Sequence, residues 1–190
     1  MTIYYIMLVA FFNQIALGGS RVAVALYALH LGASQFTVGV LAGLYALCPL
    51  LFAIIIGKHC DRVHPQAPMM MGVGCIGLGL LLIWSLPGLQ TLFFAAFMLG
   101  LFHQVFLIPM EAAVGGIGRP EDRANNYALL AMAHSAGNFI GPVVAGFSID
   151  HVGYVSAFAV LACFSTVPVV MLKTMRSEEH TSELQSLAYL

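Results

Sequence analysis

The sequence predicts an all-α integral membrane fold: six transmembrane helices arranged as two inverted three-helix repeats. Three observations carry this reading. Of the 190 residues, 61% are hydrophobic and 8% charged, and the mean hydropathy is +0.94, outside the range of soluble globular chains. Apolar stretches recur at roughly the 20-residue length that a helix needs to cross the hydrocarbon, and they are apolar all round, not alternating at period two as barrel strands do. A short pattern also repeats at one constant offset: Gly57, Asp61, Arg62 and Val63 after the second stretch match Gly146, Asp150, His151 and Val152 after the fifth.

The first span runs from about Ile3 to Leu29 and ends at HLGASQ, where Gly32 supplies a turn and Ser34 a cap. It is too long for a signal-peptide core and lacks a basic leader, so it stays as a span. The second, about Phe36 to Ile56, contains Gly39 and Gly43 at the spacing that lets membrane helices approach closely. A polar loop, Gly57 to Pro68, separates it from the glycine-rich third span, Met69 to Trp84. SLPGLQT then makes a tight turn into the fourth span, about Leu92 to Val114. A second charged loop, GGIGRPEDRAN, leads to the fifth, Tyr127 to Ile149, and the sixth covers Tyr154 to Leu172.

Lys and Arg in short loops stay on the cytoplasmic side. Lys58, Arg62, Arg119 and Arg123 lie in even-numbered connections and Lys173 follows the sixth span, while the odd connections hold neither residue type. This places the N-terminus inside, in a multi-pass protein of the plasma (inner) membrane. Cys48, Cys60, Cys75 and Cys163 are scattered without paired spacing, which argues against a disulfide framework or a zinc site. No G-x-S-x-G, H-E-x-x-H or P-loop pattern occurs, so the expectation is a protein that is not an enzyme, with no metal, cofactor or nucleic-acid partner.

Arg176 to Ser186, RSEEHTSELQS, resembles a translated sequencing adapter, and Leu187 to Leu190 fit its continuation. The expectation is a six-helix bundle over residues 1–175, truncated after about Met175, followed by a non-biological tail over 176–190.

Three helices followed by three, with equivalent loops on opposite faces, is an arrangement typical of secondary transporters. Gly57, Asp61 and Arg62 match the opening of the signature G-x-x-x-D-R-x-G-x-x-R-R. Gly137, Gly141, Pro142, Ala145 and Gly146 resemble G-x-x-x-G-P-x-x-G-G, and Pro120 to Arg123 form an acidic and basic turn. Together these resemble the N-terminal six-helix half of a major facilitator superfamily transporter. His64, Ala67 and Pro68 depart from the loop signature, and the fourth span has no arginine near Phe97, where drug and proton antiporters of the family carry one. The resemblance implies a missing C-terminal six-helix half and a small solute moved by alternating access. The alternative is a half-size membrane protein that acts as a dimeric transporter or a non-catalytic membrane partner.

Gln14, Gly18 and Arg21 share one face of the first span, and a charge at the depth of Arg21 demands a reason. Arg21 either faces a solute path, where its donor fork suits an anionic or zwitterionic group, or snorkels or pairs with a carboxylate elsewhere. The resemblance makes the first and fourth spans cavity-lining, so Gln14, Arg21, His103, Gln104 and Asn138 are the substrate-path candidates. Gly57, Asp61, Arg62, Glu111 and Arg123 are the candidates for cytoplasmic gating, with Asp61 as a latch and Glu111 pairing with Arg119 or Arg123. Gly137, Gly141, Pro142, Ala145 and Gly146 form a packing seam, which the resemblance places between the two halves.

Overall fold

The protein was described from a computed structural model that covers residues 3–60 and 62–188, with side chains throughout except at 48, 49 and 175–188. It consists of α1 (Ile3–His30), α2 (Gln35–Cys60), α3 (Gln66–Ser85), α4 (Leu89–Gly115), a 3-10 turn (Pro120–Asp122), α5 (Arg123–Val152) and α6 (Tyr154–Ala188). Six of these helices are long and apolar enough to cross a membrane. α2 runs on to Cys60, so Gly57 and Lys58 belong to its last turn and not to a loop, and Lys58 and His59 complement the helix C-terminus there. α6 likewise continues as helix beyond the predicted end, to Ala188.

Local chemistry sets the boundaries. After α1 the chain turns at Gly32, whose φ of 80° is open to glycine, and the Ser34 hydroxyl caps α2 by accepting from the Thr37 amide at 3.2 Å. Pro109, Pro142 and Pro168 lie inside α4, α5 and α6. Each removes the donor that would serve the carbonyl four residues earlier, at Val105, Asn138 and Phe164 respectively.

α1 forms the centre, packed against α5, α6 and α4. The two repeats show in the pairing: α1 lies on α5 as α4 lies on α2, and on α6 as α4 lies on α3. One apolar cluster, with Tyr27, Leu41, Leu80, Leu99 and Phe158, fills one end of the bundle. A second, with Ile6, Val73, Phe106 and Met110, fills the other.

Glycines bring the helices together at three places. A Cβ on Gly72 of α3 would lie 2.7 Å from the Phe106 amide nitrogen of α4, and one on Gly100 of α4 would lie 2.7 Å from the Tyr45 carbonyl of α2. One on Gly141 of α5 would lie 2.6 Å from the Gly19 nitrogen of α1. The expected close approach through Gly39 and Gly43 does not occur in this bundle, because both face open space, as do Gly57 and Gly146. Gly137 and Gly141 pack α5 onto α1 inside the bundle, and Ala145 is fully buried.

Candidate functional site

The α1–α5 contact positions the polar groups. Without side chains at Gly137 and Gly141, the α5 backbone rests on Phe11, Gln14 and Ile15 of α1. That closeness carries Asn138 over Gly18, where a Cβ would meet the Asn138 Oδ1 at 3.2 Å. The Gln14 Nε2 donates to the same oxygen at 2.8 Å. Gln14 is 5% exposed, whereas Asn138 is exposed on the open face of the bundle.

Arg21, two turns further along α1, is also exposed. Its guanidinium carbon lies 5.6 Å from the centroid of the Tyr45 ring, within cation–π range. Tyr45 is held from both ends. Its backbone presses on Gly100, and its hydroxyl lies 3.2 Å from the Ser20 oxygen. Ser20 donates its own proton to the Leu17 carbonyl at 2.7 Å, which leaves the tyrosine hydroxyl as donor in the Ser20 contact. Among the described residues no carboxylate pairs with Arg21.

His103 on α4 and His134 on α5 are half-buried. The His103 Nδ1 and the His134 Nε2 are buried without a hydrogen-bond partner among the described residues. At the offset that relates Gly57 to Gly146, Gln14 corresponds to His103 and Tyr45 to His134. Two positions of the polar set thus recur in both repeats, whereas Arg21 falls opposite Met110 and Asn138 opposite Pro49. The chemistry of the set is that of a recognition surface: a permanent cation, an aromatic face, imidazoles and amides, able to hold an anion and to orient hydrogen-bonding groups beside it. Among the described residues no three His, Cys, Asp or Glu side chains gather as metal ligands would.

The predicted substrate-path residues therefore divide. Gln14 and Asn138 are bonded to each other, Arg21 lies over Tyr45, and His103 and Gln104 are half-buried on α4. Among the described residues, the gating candidates share no hydrogen bond or ion pair. Asp61 lies outside the described residues, and Arg62 is exposed, with its amide donating to the His59 carbonyl at 3.2 Å. Glu111 forms no ion pair with Arg119 or Arg123 among the described residues, and its backbone carbonyl accepts from the Tyr127 hydroxyl at 3.1 Å. The α4–α5 connection is instead ordered by Asp122, which accepts from the Arg119 amide at 3.0 Å, and by Asn126, which donates to the Ile117 carbonyl at 2.9 Å. Sequence reasoning missed Ser20 and Tyr45 as parts of the site. The available signal was a tyrosine well inside α2, away from the interfacial positions that tyrosine favours in membranes.

A family model for the Major Facilitator Superfamily matches residues 6–187. The "Staphylopine export protein" of Staphylococcus aureus (strain Mu50 / ATCC 700699) is 27% identical over 160 residues, which cover 84% of this chain and 39% of that protein. Among solved structures, the peptide transporter POT in complex with sulfate superposes with a TM-score of 0.81 at 18% identity, covering 92% of this chain and 37% of that one. A POT family transporter in complex with 5-aminolevulinic acid gives 0.82 at 17% identity, covering 92% and 38%. The chain thus spans about two fifths of the length of the relatives it matches. It is a multi-pass membrane protein and belongs to the major facilitator superfamily.

Proposed function

We propose that this chain is one six-helix half of a secondary transporter that moves a small anionic or zwitterionic solute by alternating access, without enzymatic chemistry. The observation that carries the substrate class is Arg21. It stands exposed over Tyr45, on the bundle that also presents Asn138, with no carboxylate partner among the described residues. A lone guanidinium in a membrane bundle needs a counter-charge, and a carboxylate or phosphate of the solute supplies one through paired hydrogen bonds. The export named for the staphylococcal relative supports outward movement.

Two apolar stripes support a second bundle as the partner. Leu47, Leu50, Leu51, Ile54 and Ile55 lie at helical spacing along α2, and Met132, Phe139, Val143 and Phe147 along α5, all exposed. A C-terminal half docked on these stripes encloses the Arg21 face between two bundles, and rocking of one against the other exposes it alternately. The positive loops support a cytoplasmic N-terminus in the plasma membrane. Asp61 and Arg62 retain the latch role that the family signature implies, and residues 176–190 are read as adapter-derived.

The test is transport by the complete polypeptide in proteoliposomes, screened against small carboxylates, phosphates and amino acids. Arg21→Gln is expected to abolish transport of the solute identified, while Arg21→Lys retains a reduced rate. Unchanged transport by Arg21→Gln removes the substrate-site role. A chain whose 190 residues transport as a cross-linkable homodimer replaces the two-half reading with the half-size one.

A further inference from the structure

Behind the open face, α1 carries a second polar residue whose surroundings do not satisfy it. Asn13 is 0% exposed, and neither its Nδ2 nor its Oδ1 has a hydrogen-bond partner among the described residues. Ser165 on α6 is 2% exposed, and its hydroxyl is likewise unpartnered. The packing of α1 on α6 brackets both with contacts along one seam. The rings of Phe12 and Phe164, the residues immediately before them, stack at 6.5 Å, the Tyr5 hydroxyl reaches the Met171 carbonyl one way along the seam, and Tyr27 meets Phe158 the other way. α3 closes the third side at Gly77, where a Cβ would lie 3.4 Å from the Ser165 Cβ.

We propose that Asn13 and Ser165 hold buried water near mid-membrane, in the seam between α1, α3 and α6.

The donor set selects the ligand. An amide left without partners offers both an N–H donor and a carbonyl acceptor, and the serine hydroxyl adds one of each. A cation engages only the oxygens and meets the amide N–H groups with like polarity, while an acyl chain satisfies none of them. Water donates and accepts, and commonly makes about three bonds to buried groups of this kind. The Phe164 carbonyl, adjacent to Ser165 and released from its helix bond by Pro168, supplies a further acceptor at the same level. The lipid side offers no competitor. The groove of about 270 Å³ that Ser165 borders is walled by Val73, Leu78, Leu81, Val169 and neighbouring apolar groups, and the Thr166 hydroxyl there is already committed to the Cys163 carbonyl at 2.7 Å. Leaving a buried amide unpaired costs more than ordering a water beside it.

The experiment is proton cross-relaxation between water and the side-chain NH2 of Asn13 in the purified chain, labelled with ¹⁵N-asparagine and held in deuterated detergent. Cross-peaks from the Asn13 NH2 to water, weakened in Ser165→Ala, are expected. Their absence, with the NH2 resonances assigned, overturns the proposal. Thermal unfolding supplies the second readout. Asn13→Leu, which keeps the number of heavy atoms without the polar ones, strands the water and is expected to lower the Tm by about 3 °C. A rise in Tm instead shows an amide that was simply unsatisfied.

Discussion

Gln14 and Asn138, 124 residues apart in the chain, share a side-chain hydrogen bond of 2.8 Å that ties the open face of α1 to that of α5. The bond exists because Gly137, one residue before Asn138, lets α5 settle on the Gln14 side chain itself, at 2.7 Å from a would-be Cβ. Side-chain bonds between membrane helices contribute modestly, about 0.6 kcal/mol on average. A double-mutant cycle of Gln14→Leu and Asn138→Leu, read by reversible unfolding in mixed micelles, is expected to give a coupling of about that size. Strict additivity removes the bond from the energetics of the bundle.

The seam itself is the larger contribution. Gly141→Ala puts a methyl group 2.6 Å from the Gly19 nitrogen and 2.7 Å from the Ile15 carbonyl, both backbone atoms that cannot turn aside. α1 and α5 must separate, at a cost of about 1–3 kcal/mol. Gly39→Ala and Gly43→Ala meet nothing within 4 Å and are expected to leave stability unchanged or raised by a few tenths of a kcal/mol through helix propensity. Thermal denaturation of the three variants side by side checks the contrast.

Tyr45 separates two roles cleanly. Tyr45→Phe keeps the ring under Arg21 and loses the Ser20 contact, whereas Tyr45→Leu loses both. A desolvated cation–π contact contributes on the order of 1–2 kcal/mol. If Tyr45 positions Arg21 for an anionic solute, the leucine variant raises the KM of the complete transporter about 5- to 30-fold, the range that free energy sets, while the phenylalanine variant stays within a factor of about 3. Equal effects from both variants assign the role to the Ser20 hydrogen bond instead.

The spans were legible because hydropathy and length in a bilayer leave little choice, and each predicted span lies within one observed helix. Boundaries near charge were harder. α2 extends through Lys58 and His59 because cations are stabilised in a last helical turn, so a polar run there does not signal a loop. Glycine spacing marks α2 and α5 alike, yet Gly137 and Gly141 meet α1 while Gly39 and Gly43 meet nothing within 4 Å, since the spacing states that a close approach is possible and not which helix takes it. Gln14 and Asn138 were each visible as polar residues in apolar helices, yet their bond depends on how α1 and α5 rotate against each other. Ser20, Tyr45 and Asn13 were unremarked for the same reason, because burial and partnership are properties of the assembled bundle.

The centrality of α1 has a consequence for biosynthesis. α1 is made before α5 and α6, yet it packs mainly against those two helices. At elongation rates of about 5–20 residues per second, its Gln14 precedes Asn138 by on the order of ten seconds. During that interval the exposed Arg21 and the unmatched amides of Asn13 and Gln14 face the bilayer or the insertion machinery without their eventual neighbours. α1 must be sheltered until the chain behind it arrives, so the residues that shape the finished surface also make this helix dependent on assisted insertion.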